Sequence, residues 1–100
     1  MPHYLVTYHG APPPANPAQV EQMKQAFGAW LAQAGKAVKD PGAPTRFSGA
    51  VAQGSPAATV MIGGYSILEA SSLAEAEGIL RSHPFVARGG TLQIHEAIAI

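Results

Sequence analysis

The chain contains no cysteine and few charged residues. Only 12% of its 100 residues are charged, and six basic and six acidic side chains give a formal net charge of zero. The absence of cysteine excludes disulfides, thiolate nucleophiles and cysteine-ligated zinc or iron–sulfur sites. Because no basic patch is visible, a nucleic acid is not expected as a partner, whereas the low charge leaves self-association unopposed.

Long apolar segments are absent as well. Hydrophobic residues make up 47% of the chain, but no apolar run approaches the ~20 residues that a membrane helix needs. The segment MPHYLVTYHG lacks the basic region and long apolar run of a signal peptide. We therefore expect a cytoplasmic protein with no membrane partner, built as a single domain over residues 1–100.

Four segments predict β-strands through their β-branched and aromatic residues or their alternation of apolar and polar side chains. These segments are His3–His9, Lys36–Lys39, Thr59–Ala70 and Thr91–Ile100. Alternation places Tyr4, Val6 and Tyr8 on one face of the first strand. Residues 40–58 are rich in Gly, Pro and Ala, and they predict a long loop with a brief strand near residues 47–51.

Two segments carry the start signals of helices. Asn16 precedes Pro17, as an N-cap precedes a proline at the first helical position, and Ser72 with Glu75 forms a capping box. The first helix presents one apolar stripe, and so does the second. The stripes are Val20, Met23, Phe27, Trp30, Leu31 and Ala34, and then Leu73, Ala76 and Leu80. Pro84 cannot continue the second helix, which is therefore predicted to end about two residues earlier.

The resulting order, β-α-β-β-α-β, predicts an α+β fold of the ferredoxin-like type. In this fold two helices lie on one face of a four-stranded antiparallel sheet. The other face of the sheet is then uncovered, although the first and third strands carry apolar side chains on both faces. A second copy of the chain, packed sheet against sheet, is the simplest cover.

From Gly63 to Glu96 the sequence resembles the YCII-related family. The similar features are Gly63-Gly64-Tyr65 at the start of a strand, the run ILEASSLAEAEGIL, the proline that closes the helix, and a Gly-Gly-Thr turn into the last strand. The segment AQAGKAV at the end of the first helix is also similar. The resemblance implies the dimeric α/β-barrel form of the ferredoxin-like fold, and therefore a homodimer.

The resemblance also implies where a site would lie. Many members pair a histidine of the first helix with an aspartate just before the proline that follows the second helix, as a proposed acid–base dyad. Here Met23 or Lys24 occupies the first position and His83 the second, so the pair itself is not preserved. His83 nevertheless stands where relatives have a polar group that faces the pocket.

His83 is the candidate catalytic residue. Histidine is the side chain whose unperturbed pKa allows proton exchange near neutral pH, and the dipole at a helix C-terminus is expected to favour its charged form. A structural role, as a helix cap or as an extension of the stripe of Ala76 and Leu80, is the alternative. Arg81 and Arg88 flank His83 and could attract an anionic substrate, or they could simply be solvated.

Three further residues are candidate substrate-binding residues: Tyr65, Tyr4 and His95. Tyr65 follows two glycines, which let the backbone approach a ligand, and a phenol can orient a carbonyl or phenolate group. His95 is predicted to approach His3 or His9 across the sheet. Three imidazoles on one face would suit zinc, nickel or copper, but no HxH or HxxxH spacing occurs, so no metal or other cofactor is expected.

The sequence leaves two main functions open. The first is a small cofactor-independent enzyme that uses lyase- or isomerase-like acid–base chemistry on a small apolar, aromatic or lactone-like molecule. His83 would exchange the proton and Tyr65 would orient the substrate. The second is a non-catalytic dimeric module that binds a small molecule or acts as an accessory protein. No phosphate-binding loop, dinucleotide fingerprint or nucleophile elbow is present.

Overall fold

The computed structural model describes all residues from 1 to 100. The elements are β1 His3–His9, α1 Pro17–Ala34, a 3-10 turn Gly35–Ala37, β2 Val38–Pro44, β3 Gly64–Glu69, α2 Leu73–Leu80, α3 Pro84–Ala87 and β4 Thr91–Glu96. The strands form one four-stranded antiparallel sheet in the order β2-β3-β1-β4. The predicted ferredoxin-like α+β fold is therefore confirmed. None of the helices combines the length and the apolar character needed to cross a membrane.

Side-chain caps start both long helices, as the sequence predicts. The Asn16 side chain accepts a hydrogen bond from the Gln19 backbone N–H at 2.9 Å, and Pro17 is the first helical residue. The Ser72 hydroxyl accepts from the Glu75 backbone N–H at 3.1 Å. These bonds satisfy N–H groups that a helix cannot pair internally, so the local sequence determines where each helix begins.

The second strand differs most from the prediction, because it begins at Val38 and continues to Pro44 rather than spanning residues 36–39. Its two prolines are tolerated because β2 is an edge strand with two register shifts. Gly42 has φ +75°, and a Cβ at this position would overlap the Tyr65 carbonyl. Glycine therefore allows β2 to bulge while it stays paired with β3.

The ends of other elements also differ from the prediction. β3 is limited to Gly64–Glu69, β4 stops at Glu96, and the brief strand near residues 47–51 does not form. That last prediction was wrong because the segment finds no partner strand in the sheet. A short helix, α3, follows directly after His83, since Pro84 is well suited to a first helical position.

The core lies between the helices and one face of the sheet. Its buried side chains are Tyr4, Val6, Trp30, Leu68, Ala70, Ala76 and Leu80. Of the predicted α1 stripe, Trp30 is buried and Phe27, Leu31 and Ala34 pack against the core, whereas Met23 is half-buried outside it and Val20 is exposed. Leu73, predicted to be buried, is 51% exposed because it begins α2 at the margin of the layer.

The opposite face of the sheet, which we call the open face, carries no helix. Its cross-strand neighbours include Leu5 opposite Ile67 and His95 opposite Leu5. Leu5 is 40% exposed and Ile67 is half-buried. A single chain therefore leaves apolar side chains of its central strands in contact with solvent.

Candidate functional site

A cavity of about 940 Å³ lies at the end of the sheet where β1 finishes and β3 begins. Its walls are formed by Tyr8, by Gly63 and Gly64, by the N-terminal half of α1 and by α3. The apolar stripe of α1 thus has two roles. Its C-terminal half packs in the core, and Met23 and Phe27 from its N-terminal half line the cavity.

His83 lies in the inner wall of this cavity and is only 2% exposed. Three aromatic rings surround its imidazole, with centroid distances of 4.4 Å to Trp30, 5.1 Å to Tyr8 and 5.6 Å to Phe27. The sequence brings it here through Pro84, which stops α2 and starts α3, so that His83 becomes the N-cap of the new helix. The opening position of a short helix thus holds the imidazole in place.

Both ring nitrogens of His83 are hydrogen-bonded, and their partners determine the tautomer. Nδ1 accepts from the Phe85 backbone N–H at 3.0 Å, because an amide N–H can only donate. The proton of the neutral imidazole therefore lies on Nε2. Nε2–H donates to the Tyr8 hydroxyl oxygen at 2.8 Å.

The hydrogen bonds continue beyond Tyr8 in one direction. Ser66 Oγ donates to the Pro41 carbonyl at 2.8 Å, since a carbonyl can only accept. Ser66 must then accept at its other contact, so the Tyr8 hydroxyl donates to Ser66 Oγ at 2.7 Å. The polar chain runs from His83 through Tyr8 and Ser66 to Pro41, and every hydrogen in it has a defined acceptor.

Burial, reinforced by the positive charge of Arg88, lowers the pKa of His83 to about 4. The imidazole is therefore neutral at neutral pH. The expectation that a helix dipole would favour the charged form was wrong for this position. As the N-cap of α3, His83 faces a backbone N–H group rather than the carbonyls at the end of α2.

Tyr8 is the polar group that joins this buried chain to the cavity. Burial raises the pKa of its phenol, and the hydrogen bond with Ser66 opposes part of that shift. The phenol therefore keeps its proton at neutral pH. Because it is half-buried and lines the cavity, Tyr8 can donate a proton or a hydrogen bond to a ligand when its hydroxyl hydrogen turns away from Ser66.

The structure brings some of the predicted site residues to the cavity and leaves others away from it. Tyr65 contributes to the cavity wall, but strand alternation puts its side chain on the open face, opposite that of Ser66. Tyr4 is buried in the core, and His95 is exposed on the open face opposite Leu5. Of the four, only His83 has its side chain in the cavity wall, and the substrate-binding roles of the other three stay predictions.

Tyr8 and Ser66 are the site residues that the sequence did not single out. The alternation in β1 already puts Tyr8 on the face of Tyr4 and Val6, which was the available signal. The signal is incomplete because Tyr8 meets Ser66 and His83 only across 58 and 75 residues of the chain. Ordinary sheet tyrosines show the same alternation without such contacts.

The other histidines do not form a metal site. His3 Nε2 lies 2.9 Å from Glu69 Oε2, while His9 hydrogen-bonds the Thr7 hydroxyl and the Met61 carbonyl at 2.7 and 3.1 Å. No group of three or more His, Cys, Asp or Glu side chains is arranged to hold a metal ion. His95 lies opposite Leu5 in the sheet, and the predicted approach to His3 or His9 produces no ligand set.

The architecture defines the chain as an α+β domain of the ferredoxin-like class, and comparison with solved structures finds the same fold. No protein-family model matches the chain, and no curated protein matches it in sequence. The chain is similar to 5-chloro-2-hydroxyhydroquinone dehydrochlorinase (TftG) from Burkholderia phenoliruptrix AC1100, solved in complex with 2,5-dihydroxybenzoquinone. The TM-score is 0.62 at 20% identity, over 98% of this chain and 95% of that chain. At this identity the likeness is one of fold.

Proposed function

We propose that the protein is a small cofactor-independent enzyme that carries out acid–base chemistry on a small aromatic or lactone-like molecule in this cavity. The observation that carries the proposal is the Tyr8 hydroxyl in the cavity wall, held by His83 on one side and Ser66 on the other. A defined proton donor in a largely apolar cavity is the arrangement expected of an acid–base site.

Tyr8 would be the group that transfers the proton. When it gives its proton to a ligand oxygen or carbon, the phenolate that remains accepts a hydrogen bond from His83 Nε2–H. Ser66 can turn its hydroxyl from the Pro41 carbonyl towards the same phenolate. A proton lost by the substrate at a second atom would restore the phenol, which closes a lyase- or isomerase-like cycle.

In this scheme His83 acts through Tyr8 and is a positioning residue. Its Nδ1 is occupied by the Phe85 N–H, and its proton stabilises the Tyr8 oxygen rather than leaving the ring. Tyr65 lies at the cavity wall, but its phenol is on the open face, so this scheme gives it no orienting role. Tyr4 and His95 are not part of the proposed site because neither lines the cavity.

Two similarities support the proposed substrate class. TftG acts on a chlorinated hydroxyhydroquinone and was solved with a dihydroxybenzoquinone, so the same fold accommodates a single substituted six-membered ring. Membership of the YCII-related family, suggested by residues 63–96, is part of the proposal. For this chain we propose a ring of similar size that lies among Tyr8, Phe27 and Phe85.

The alternative function is a non-catalytic module that binds a small molecule. It is favoured by the hydrogen bonds at both His83 nitrogens and by its lowered pKa, because the cavity then contains no free imidazole base. Met23 and Lys24 occupy the position of the family's first-helix histidine, so the cavity holds no second imidazole there either. Ligand binding without proton transfer would support this function.

Deuterium incorporation from D₂O separates the two functions. The purified protein is incubated with 2,5-dihydroxybenzoquinone and related hydroxylated aromatic rings and small lactones, and exchange into each compound is followed by NMR. We expect exchange that is lost in Tyr8→Phe and retained in Tyr4→Phe, because Tyr4 does not line the cavity. His83→Gln should keep part of the activity, since its amide can replace Nε2–H. Binding without enhanced exchange would contradict the enzyme proposal and support the binding module.

We further propose that two copies of the chain pair through their open faces. The core of one chain contains only seven buried hydrophobic residues, while Leu5 and the loop residues Phe47, Val60 and Met61 are all at least 40% exposed. A second copy would remove such apolar surface from water. Light scattering after gel filtration should report a dimer for the wild type and for Leu73→Lys, which is exposed away from this face, and a monomer for Leu5→Lys. A monomeric wild type would contradict the proposal.

A further inference from the structure

The cavity has an unbalanced set of charges. Lys24 and Arg88 are the charged residues among those that line it, and no Asp or Glu is present in its walls. The protein's two ion pairs both involve Glu69, which takes His3 and Lys39 as partners on the open face. The two cavity cations therefore have no carboxylate partner within the protein.

Arg88 is held in a defined place despite this lack of a partner. Its Nη1 lies 3.1 Å from Met23 Sδ on α1, and its Cζ lies 5.2 Å from the centroid of the Phe85 ring. The side chain is half-buried at the end of α3. Sulfur is a weak acceptor, so most of the five guanidinium N–H donors are left for another group.

A half-buried guanidinium in an apolar wall favours an anion beside it, because charges removed from water are stabilised by pairing. Its planar fork matches the two oxygens of a carboxylate or the vicinal oxygens of a hydroxyquinone. The Phe85 ring stands between Arg88 and the proton donor, at 5.2 Å from the Arg88 Cζ and 5.0 Å from the Tyr8 ring centroid. One substituted ring that lies along Phe85 could contact both.

We infer that the ligand of this cavity is an organic anion, a small ring that carries an acidic oxygen, and that Arg88 binds this oxygen while Tyr8 faces the opposite part of the ring. The inference rests on the proposed function only in that both use the same cavity. Lys24, exposed on α1, adds a second positive charge at the rim and strengthens the preference for an anion.

Anion binding should also change the pKa of His83, even where the anion makes no contact with the imidazole. The positive charge of Arg88 is one of the two causes that lower the pKa of His83. An anion on Arg88 offsets this charge, so binding should raise the pKa of His83. Removal of the charge in Arg88→Gln should raise it as well, and the anion should then cause little further change.

The inference is tested with two pairs of probes that differ in charge but little in shape. One pair is 4-hydroxybenzoate and 4-hydroxybenzamide, which tests a carboxylate. The other is 2,5-dihydroxybenzoquinone and its neutral dimethoxy analogue, which tests an oxyanion on the ring itself. Affinities for the wild type, Arg88→Gln, Arg88→Lys and Arg81→Gln are measured by NMR titration at neutral pH, and the spectra confirm that each variant is folded.

We expect at least one anion to bind about 10- to 100-fold more tightly than its neutral partner, the range for hydrogen bonds to charged groups. The preference should vanish in Arg88→Gln, shrink in Arg88→Lys and persist in Arg81→Gln, because Arg81 is exposed and outside the cavity. The pair that shows the preference identifies the acidic group.

Three outcomes would overturn the inference. If neutral and anionic probes bind the cavity equally well, the anion preference is absent although the proposed pocket stands. If Arg88→Gln weakens both members of a pair equally, Arg88 acts structurally rather than on the charge. If no probe binds, both the anion inference and the proposed cavity fail. An Arg88-dependent preference without deuterium exchange would instead leave the inference intact and remove only the enzyme proposal.

Discussion

The polar side chains on the two faces of the sheet make different kinds of contact. On the helix-covered face, Tyr8, Ser66 and His83 form one hydrogen-bonded chain in which each donor has a single acceptor. On the open face, His3 and Glu69 pair at 2.9 Å with their side chains 51% and 26% exposed. One histidine, His83, is therefore buried within a candidate site, whereas another, His3, forms a solvent-exposed pair with Glu69.

The difference shows that burial, more than residue type, decides the chemistry available to each histidine. His83 stays neutral because desolvation lowers its pKa to about 4. The bond from His3 instead helps to lower the pKa of Glu69, and solvent competes for both partners. The polar chain of the candidate site, with its fixed tautomer at His83 and its defined proton path, forms on the helix-covered face.

The largest expected effect comes from neighbouring residues of β3 that point to opposite faces. Leu68 is fully buried, and Leu68→Ala should lower the free energy of unfolding by about 2–5 kcal/mol because it leaves a cavity in the core. Ile67→Ala on the open face should cost about 1–2 kcal/mol, since that side chain is half-buried. Urea unfolding of both variants measures the difference.

If the open face is covered by a second chain, the cost of Ile67→Ala should depend on protein concentration. If Leu68→Ala and Ile67→Ala lower the free energy of unfolding equally at every protein concentration, the two faces contribute equally to stability and differ less than we infer.

Tyr8→Phe should have the next largest effect. Loss of this hydroxyl leaves the Nε2–H of the buried His83 without an acceptor and Ser66 Oγ without its donor, at a cost of about 1–3 kcal/mol. Tyr4→Phe is the matched control on the same strand and face. No buried side-chain nitrogen or oxygen atom is unpaired, so the Tyr4 hydroxyl, which has no protein partner, reaches solvent. In thermal unfolding, the free energy of unfolding of Tyr4→Phe should lie within about 0.5 kcal/mol of the wild-type value.

The pH dependence of stability should reveal the buried histidine. The pKa of His83 is about 4 in the folded protein and 6.5 for an unperturbed imidazole. Between these values the unfolded chain binds a proton that the folded chain does not, so stability falls as pH falls from 6.5 to 4. One proton gives a slope of at most about 1.4 kcal/mol per pH unit.

His83→Gln should flatten this part of the profile, because it removes the group whose pKa differs between the folded and the unfolded chain. The denaturant midpoints of the wild type and of His83→Gln are measured between pH 4 and pH 6.5 and compared. Identical profiles for the wild type and His83→Gln would mean that His83 titrates as it does in the unfolded chain.

The smallest expected effect is at the exposed ion pair of the open face. Glu69→Gln removes the partner of both His3 and Lys39, yet solvent replaces much of what is lost, as is usual for surface pairs. The thermal midpoint should move less than in Tyr8→Phe. If the thermal midpoint shifts more in Glu69→Gln than in Tyr8→Phe, the ion pair of the open face contributes at least as much to stability as the buried polar chain.

Much of the site could not be predicted from local sequence, and the reason is distance along the chain. His83 was predictable as a candidate because the adjacent Pro84 interrupts the helix. Its function as an N-cap and donor to Tyr8 depends on α3, a four-residue helix too short to have a periodic pattern. Arg88 is four positions beyond Pro84, but its contact with Met23 joins two residues that are 65 positions apart in the sequence.

The sequence alone determined what is local in this protein. Periodicity predicts the amphipathic helices, Asn16 and Ser72 mark where they begin, and the order of elements indicates the ferredoxin-like sheet. The tertiary structure decided which face of the sheet the helices cover and where the core ends and the cavity begins. It also decided that His83, Tyr8 and Ser66 are joined by hydrogen bonds. Caps and periodicity act within a few residues, whereas burial and hydrogen bonding join side chains that only the folded chain brings together.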